Sequence, residues 1–162
     1  MSVQEVASAG TSIWLDDLSR AKITGADAHS LPSRIANSGV VGVTTNPSIF
    51  SGAISGAAEY SADIAAMKGA TVDDVVKKLT TDDVRQASDL FAPIFSGSKG
   101  FDGRVSIEVD PRLARDTDGT IAAGKELWSI IDRPNVMIKV PATVEGLPAI
   151  TCLLYTSDAA DE

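Results

Sequence analysis

Four short apolar segments, each followed by residues of helical character, constrain this chain more than anything else in it. They are Thr11-Ser12-Ile13-Trp14-Leu15, Val40-Val41-Gly42-Val43-Thr44, Arg104-Val105-Ser106-Ile107-Glu108-Val109-Asp110 and Asn135-Val136-Met137-Ile138-Lys139-Val140-Pro141-Ala142. Short apolar strands alternating with helices build parallel βα units, so the expected class is α/β. Side chains alternate along a strand, which gives each segment two faces. One face carries Ile13 and Leu15, then Val41 and Val43, then Val105, Ile107 and Val109, then Val136, Ile138 and Val140. The other carries Ser12, Trp14 and Asp16; Gly42, Thr44 and Asn46; Ser106, Glu108 and Asp110; Asn135, Met137 and Lys139.

In a (β/α)8 barrel the uniformly apolar face lies under the helices. The mixed face points inward, and its C-terminal positions open into the active site. Parity therefore sends Asp16, Asn46, Glu108 and Lys139 towards one space. It also selects Asp16 over Asp17, which is expected to cap the following helix. Each residue has a plainer reading: Asp16 or Asn46 as a cap, Glu108 as a structural partner of Lys139. Taken alone, Lys139 reads more simply as half of a salt bridge or as part of a solvated edge strand. Four polar groups at matching ends of four apolar strands favour an active site.

The connecting segments carry their own punctuation. Helical sequence after Asp17 breaks at Gly25, resumes towards Arg34-Ile35-Ala36 and closes at Gly39. Asn46-Pro47 reads as an N-cap with proline at the first helical position, and the proline excludes Asn46 as a glycosylation acceptor. Ile49 to Gly69 reads as helix and loop. Thr71-Val72-Asp73-Asp74 and Thr80-Thr81-Asp82-Asp83 both resemble capping boxes and predict two helix starts. In the second, Val84, Ala87, Leu90, Phe91 and Ile94 keep helical spacing, and Pro93 should bend or end the helix. Gly97, Gly100 and Gly103 precede a strand where phosphate-binding fingerprints follow one, so they read as ordinary loop. Thr117 to Ile131 predicts a helix with Ile121, Trp128 and Ile131 along one stripe.

Composition excludes several classes. At 162 residues the chain is long enough for one core and too short for two full domains. A net charge of -8 argues against a nucleic-acid partner. No apolar run approaches the ~18 residues of a membrane span. Met1-Ser2-Val3-Gln4-Glu5 lacks the start of a signal peptide, so no membrane association and a cytoplasmic location are expected. Cys152 is the one cysteine, which rules out an internal disulfide or a cysteine-rich metal site. His29 is the one histidine and reads as a surface residue, so histidine-based nucleophile mechanisms are set aside.

The remaining set permits one specific chemistry. An amine that works near neutrality needs a pKa of ~7–8 against ~10.4 for free lysine, a change of roughly 4 kcal/mol that desolvation can supply. Such a lysine adds to a carbonyl and loses water. The protonated imine then draws electrons from the adjacent carbon–carbon bond as it breaks. Two carboxylates in different surroundings can move the protons. The chemistry requires no metal or organic cofactor.

Gly42-Val43-Thr44-Thr45-Asn46-Pro47-Ser48, Ser106-Ile107-Glu108-Val109-Asp110 with Asp116-Thr117 beyond it, and Asn135 to Ala142 together resemble transaldolase. Trp14-Leu15-Asp16-Asp17-Leu18-Ser19-Arg20 is similar to the first strand of the longer, actinobacterial-type members. The resemblance runs from about Ser12 to Thr151 with the motifs in family order. It implies a (β/α)8 TIM barrel, of which residues 1–151 would be the N-terminal half, since a whole barrel needs ~250 residues. It also implies transfer of a dihydroxyacetone unit from sedoheptulose 7-phosphate to glyceraldehyde 3-phosphate in the pentose phosphate pathway. By position, Lys139 matches the Schiff-base lysine and Glu108 the glutamate that works through a catalytic water. Asp16 matches the aspartate acting on the hydroxyl of the cleaved bond, and Asn46 and Thr44 the residues holding the dihydroxyacetone end. The expected partners are sugar phosphates.

The pattern departs from the family after Thr151. Residues 152–162 resemble translated sequencing-adapter read-through and are expected to be non-native. The missing half would carry serine, threonine and arginine contacts to substrate. An open half-sheet would also leave bare strand edges, so the chain as given is expected to be inactive and prone to aggregate. Two rival readings stand beside this one: a Schiff-base aldolase related to fructose 6-phosphate aldolase, and a non-enzymatic α/β binding module of flavodoxin-like type.

Overall fold

The computed structural model describes residues 3–25 and 28–155. Four strands, β1 (Ile13–Asp16), β2 (Val40–Thr44), β3 (Arg104–Glu108) and β4 (Val136–Lys139), form one parallel sheet in the order β1-β2-β3-β4. That sequential order separates the two architectures open to a parallel α/β chain. A doubly wound sheet reverses direction at a switch point, as in the order 2-1-3-4-5, whereas a barrel adds each strand to the same side of the last. The flavodoxin-like reading is therefore set aside, and the sheet is that of a half-barrel.

Helices fill the crossovers, and local chemistry starts and stops them. A short α1 (Val3–Ser8) precedes β1. Between β1 and β2 lie α2 (Arg20–Thr24), capped by Ser19, and α3 (Leu31–Ser38), capped by Ser30. Gly39 ends α3 in the left-handed region at φ 66°, where a side chain would be strained. Between β2 and β3 come α4 (Pro47–Ile54), a 3₁₀ turn at Ala58–Tyr60, α5 (Ser61–Ala66) and the long α6 (Val72–Gly97). A 3₁₀ turn at Pro111–Leu113 and α7 (Thr117–Ile131), capped by Asp116, lead to β4, and α8 (Gly146–Tyr155) follows.

The core is the apolar face expected from the alternation. Val43, Val105, Ile107, Val109 and Val136 are buried with Leu18 from the loop after β1 and Leu31, Val84, Ala87, Phe91 and Ile131 from the helix layer. Each such side chain contributes about 1.5–3 kcal/mol by leaving water. Within the strands, one position departs from the alternation. Ile13 pairs with Val40 and Trp14 with Gly42, so Val41 is the extra residue of a bulge and Val40 takes its place in the core.

Several sequence expectations are corrected. Thr71 does open α6, accepting the Asp74 N–H at 3.1 Å, but Thr80 and Thr81 open nothing. Their hydroxyls donate back to the carbonyls of Val76 and Lys77, inside a single helix. Pro93 does not end that helix, which continues to Gly97; Phe91 and Ile94 pack on the core on either side and outweigh the lost backbone bond. The buried stripe of α7 is Thr120, Gly124, Leu127 and Ile131, and Trp128 lies on its exposed margin. Ser19 rather than Asp17 caps α2, and Asp17 pairs instead with the Lys22 ammonium. Asn135 does not face the site. It is buried before β4 begins, donating to the carbonyls of Ser88 at 2.9 Å and Gly103 at 2.8 Å.

Of the tail, α8 runs through Cys152 to Tyr155, and residues 156–162 lie outside the described residues. No helix among the described residues is long and apolar enough to cross a membrane.

Candidate active site

The face opposite the core carries the candidate residues in two rows. Register pairs Asp16 with Thr44, Val43 with Val105, and Ser106 with Met137, so Asp16, Thr44, Ser106 and Met137 share one row. Glu108 and Lys139 are register partners in the next row, nearer the C-terminal strand ends. Parity placed all of them on one face; the strand stagger that parity cannot see puts Asp16 one row lower.

Lys139 and Glu108 meet directly. The Lys139 ammonium lies 3.3 Å from Glu108 Oε2 and donates to the Thr45 carbonyl at 2.8 Å. Their side chains remain 39% and 22% exposed, so the pair lines an open mouth and is not sealed into a core. An ion pair this accessible adds little to stability. It is well placed to exchange a proton with a substrate.

The neighbouring groups form a lattice across β2 and β3. The Ser106 hydroxyl donates to Thr44 Oγ1 at 3.0 Å, and the buried Thr45 hydroxyl donates to the Ser106 carbonyl at 2.7 Å. These bonds fix the carbonyl on which Lys139 rests. Asn46 does cap α4, as its plainer reading held: Oδ1 accepts the Ile49 N–H at 3.0 Å. Among the described residues its amide nitrogen makes no hydrogen bond, which leaves two donors for a ligand.

Asp16 stands apart. It ends β1 exposed, and among the described residues no group bonds its carboxylate. Three strand spacings, about 14 Å along the sheet, separate it from Lys139. Asp110, which parity also sent inward, turns away to Arg112, accepting its backbone N–H at 2.8 Å and its guanidinium. The Arg112 hydrogen bond is the main reason the Asp110 carboxyl is held below its ordinary value. His29 is exposed, as expected.

Sequence reasoning missed Thr45 and Ser106. Thr45 lies on the wrong parity and acts through its carbonyl, which no side-chain pattern reports. Ser106 was on the correct face, and its hydroxyl was passed over for the charged neighbours. A groove of about 690 Å³ between α4, α6 and α7 borders Glu108 and Asn46, but Lys139 is not in its wall.

A family profile described as Transaldolase/Fructose-6-phosphate aldolase matches residues 13–156. The chain belongs to this family. It is 52% identical over 155 residues to the transaldolase of Saccharopolyspora erythraea, covering 94% of this chain and 41% of that protein. It is 54% identical over 152 residues to transaldolase 1 of Streptomyces avermitilis, covering 93% and 39%, and 55% identical over 151 residues to the transaldolase of Mycobacterium leprae, covering 92% and 40%. The chain thus spans about two-fifths of the length of these transaldolases. Four strands in barrel order agree with that share.

Proposed function

We propose that the full-length protein carrying this segment is a transaldolase that works through a Schiff base on Lys139. The observation that supports it most is the Lys139–Glu108 pair, 3.3 Å apart at the open end of two adjacent parallel strands. Lys139 passes a proton to Glu108, and the neutral amine adds to the keto carbon of sedoheptulose 7-phosphate. Glu108, through a water, returns protons so that the carbinolamine loses water and a protonated imine forms. Asp16 then accepts the proton of the hydroxyl on the carbon beyond the breaking bond. That bond's electron pair flows into the imine, and erythrose 4-phosphate leaves. The bound enamine adds to glyceraldehyde 3-phosphate, Asp16 returns the proton, and hydrolysis releases fructose 6-phosphate. Thr44 and the free amide of Asn46 hold the dihydroxyacetone hydroxyls. The protein would serve the pentose phosphate pathway in the cytoplasm.

The test is a graft in which residues 1–151 are joined to the remaining length of the Saccharopolyspora erythraea transaldolase. Borohydride with fructose 6-phosphate should leave a stable adduct that peptide mapping places on Lys139, and Lys139→Met should give neither adduct nor turnover. An unmodified Lys139 under conditions of turnover would overturn the Schiff-base reading. The family description also names fructose-6-phosphate aldolase. Turnover that depends on erythrose 4-phosphate as acceptor supports transfer, and release of free dihydroxyacetone without an acceptor supports cleavage.

A further inference from the structure

A buried polar cluster at the start of α2 plays no part in the chemistry above. Asp83 sits within α6 with its side chain fully buried. A carboxylate in that position must be bonded at both oxygens. Tyr60 donates to Oδ2 at 2.6 Å and Arg20 Nε donates to Oδ1 at 3.0 Å. The Tyr60 oxygen in turn accepts the backbone N–H of Arg20 at 2.9 Å, and the Arg20 guanidinium lies 4.6 Å from the Tyr60 ring centre. Arg20 Nη1 also reaches the Glu59 carbonyl at 3.3 Å and the Asp63 carboxylate. Burial, and next the bond to Asp83, push the Tyr60 phenol up, so it stays a donor.

What the cluster fixes is the first residue of α2, four positions after Asp16. A helix of five residues has too few internal bonds to hold itself in place. The Asp16 carboxylate has no partner of its own among the described residues, so its position is inherited from the backbone on either side. On one side is β1, hydrogen-bonded in the described sheet to β2. On the other is Arg20, gripped through its backbone, Nε and Nη1.

We propose that Arg20, Tyr60 and Asp83 are positioning residues that hold Asp16 against the reacting hydroxyl of the substrate. The inference rests on the reading of Asp16 as the proton acceptor in carbon–carbon cleavage. Tyr60→Phe removes one hydroxyl and leaves the ring packing. In the graft it should lower kcat by about 10- to 100-fold, the scale of a displacement near 1 Å, with KM little changed. Borohydride trapping on Lys139 should persist, because imine formation precedes the step that needs Asp16. On an Asp16→Asn background, Tyr60→Phe should lower the residual rate no further.

Unchanged kcat in a folded Tyr60→Phe protein overturns the proposal. So does trapping that falls in step with turnover, or a loss that multiplies with Asp16→Asn. Absence of any adduct in the unsubstituted graft is a different result and bears on the Schiff base alone. Should Tyr60→Phe fail to fold, Arg20→Lys is read by the same three measurements; it keeps the charge and the backbone N–H but loses the planar fork.

Discussion

Gly42 shows how a single position sets the inner face. It lies in register with Trp14, and a Cβ on it would fall 2.5 Å from the indole Cε2. The ring lies against the strand because the glycine has no side chain. Gly42→Ala should therefore displace the indole and destabilise the full-length graft by about 1–3 kcal/mol, the range of core overpacking. Trp14→Ala on top of it should recover part of that loss, and strict additivity of the two denaturant midpoints would count against the contact. Asp110 offers a pH test at the same scale. A carboxylate held low by Arg112 stabilises the fold above its ordinary value of 3.8, and that contribution is lost as the pH falls through its lower folded value. Asp110→Asn should thus weaken the graft slightly at pH 7, and the difference should close as the pH falls below 3.8 through the lowered folded value. Residues of this kind explain what could be read beforehand. Lys139, Glu108 and Asp16 announce themselves because charge at the end of an apolar strand is rare. Thr45 contributes a carbonyl, and every residue has one.

At the scale of elements, the period-2 alternation made the strand faces readable within the strands except at the bulge of Val41, and it failed at Asp110 and Asn135, which lie just outside β3 and β4. Helix starts were readable where the preceding residues are not helical, as at Thr71 and Asp116. The box at Thr80 failed because the same letters, about two turns into an existing helix, find their N–H groups already bonded and turn their hydroxyls back on Val76 and Lys77. Clusters such as Arg20–Tyr60–Asp83 join three elements across 63 positions of sequence and leave no local signature. Asn135 is the comparable joint at β4, tying the strand's entrance to the carbonyls of Ser88 in α6 and Gly103 before β3. Asn135→Ala would remove both of these buried bonds, at about 0.5–1.5 kcal/mol each. The expected outcome is a loss of stability larger than the apolar volume removed would explain, accompanied by faster hydrogen exchange at the Val105 amide, which β4 pairs through the Asn135 carbonyl at 2.9 Å. Exchange confined to α6 instead would show that the asparagine braces the helix and not the strand.

For the whole molecule, the decisive imbalance is between the two faces of the sheet. Helices cover one face, while the other carries Trp14, Asp16, Met137 and Lys139 with no layer over it among the described residues. The strands β1 and β4 each have a neighbour on one side in the described sheet, so their outer N–H and C=O groups are open to pairing. Met137 is 42% exposed and Val144 82%, which adds apolar surface beside that edge. In the relatives the remaining three-fifths of the chain is available to cover these surfaces, and the full-length graft should be soluble and bind little hydrophobic dye. The 162-residue chain expressed alone should bind the dye, sediment as a distribution of oligomers and show no turnover. Supplying the remaining segment of the Saccharopolyspora erythraea protein in trans should reduce the dye signal, because closing the sheet pairs both edges and buries the inner face at once. A monomer without dye binding would mean that the open edges are not sticky. Turnover by the isolated chain would go further and show that Lys139, Glu108 and Asp16 need no contact from the other half of a barrel.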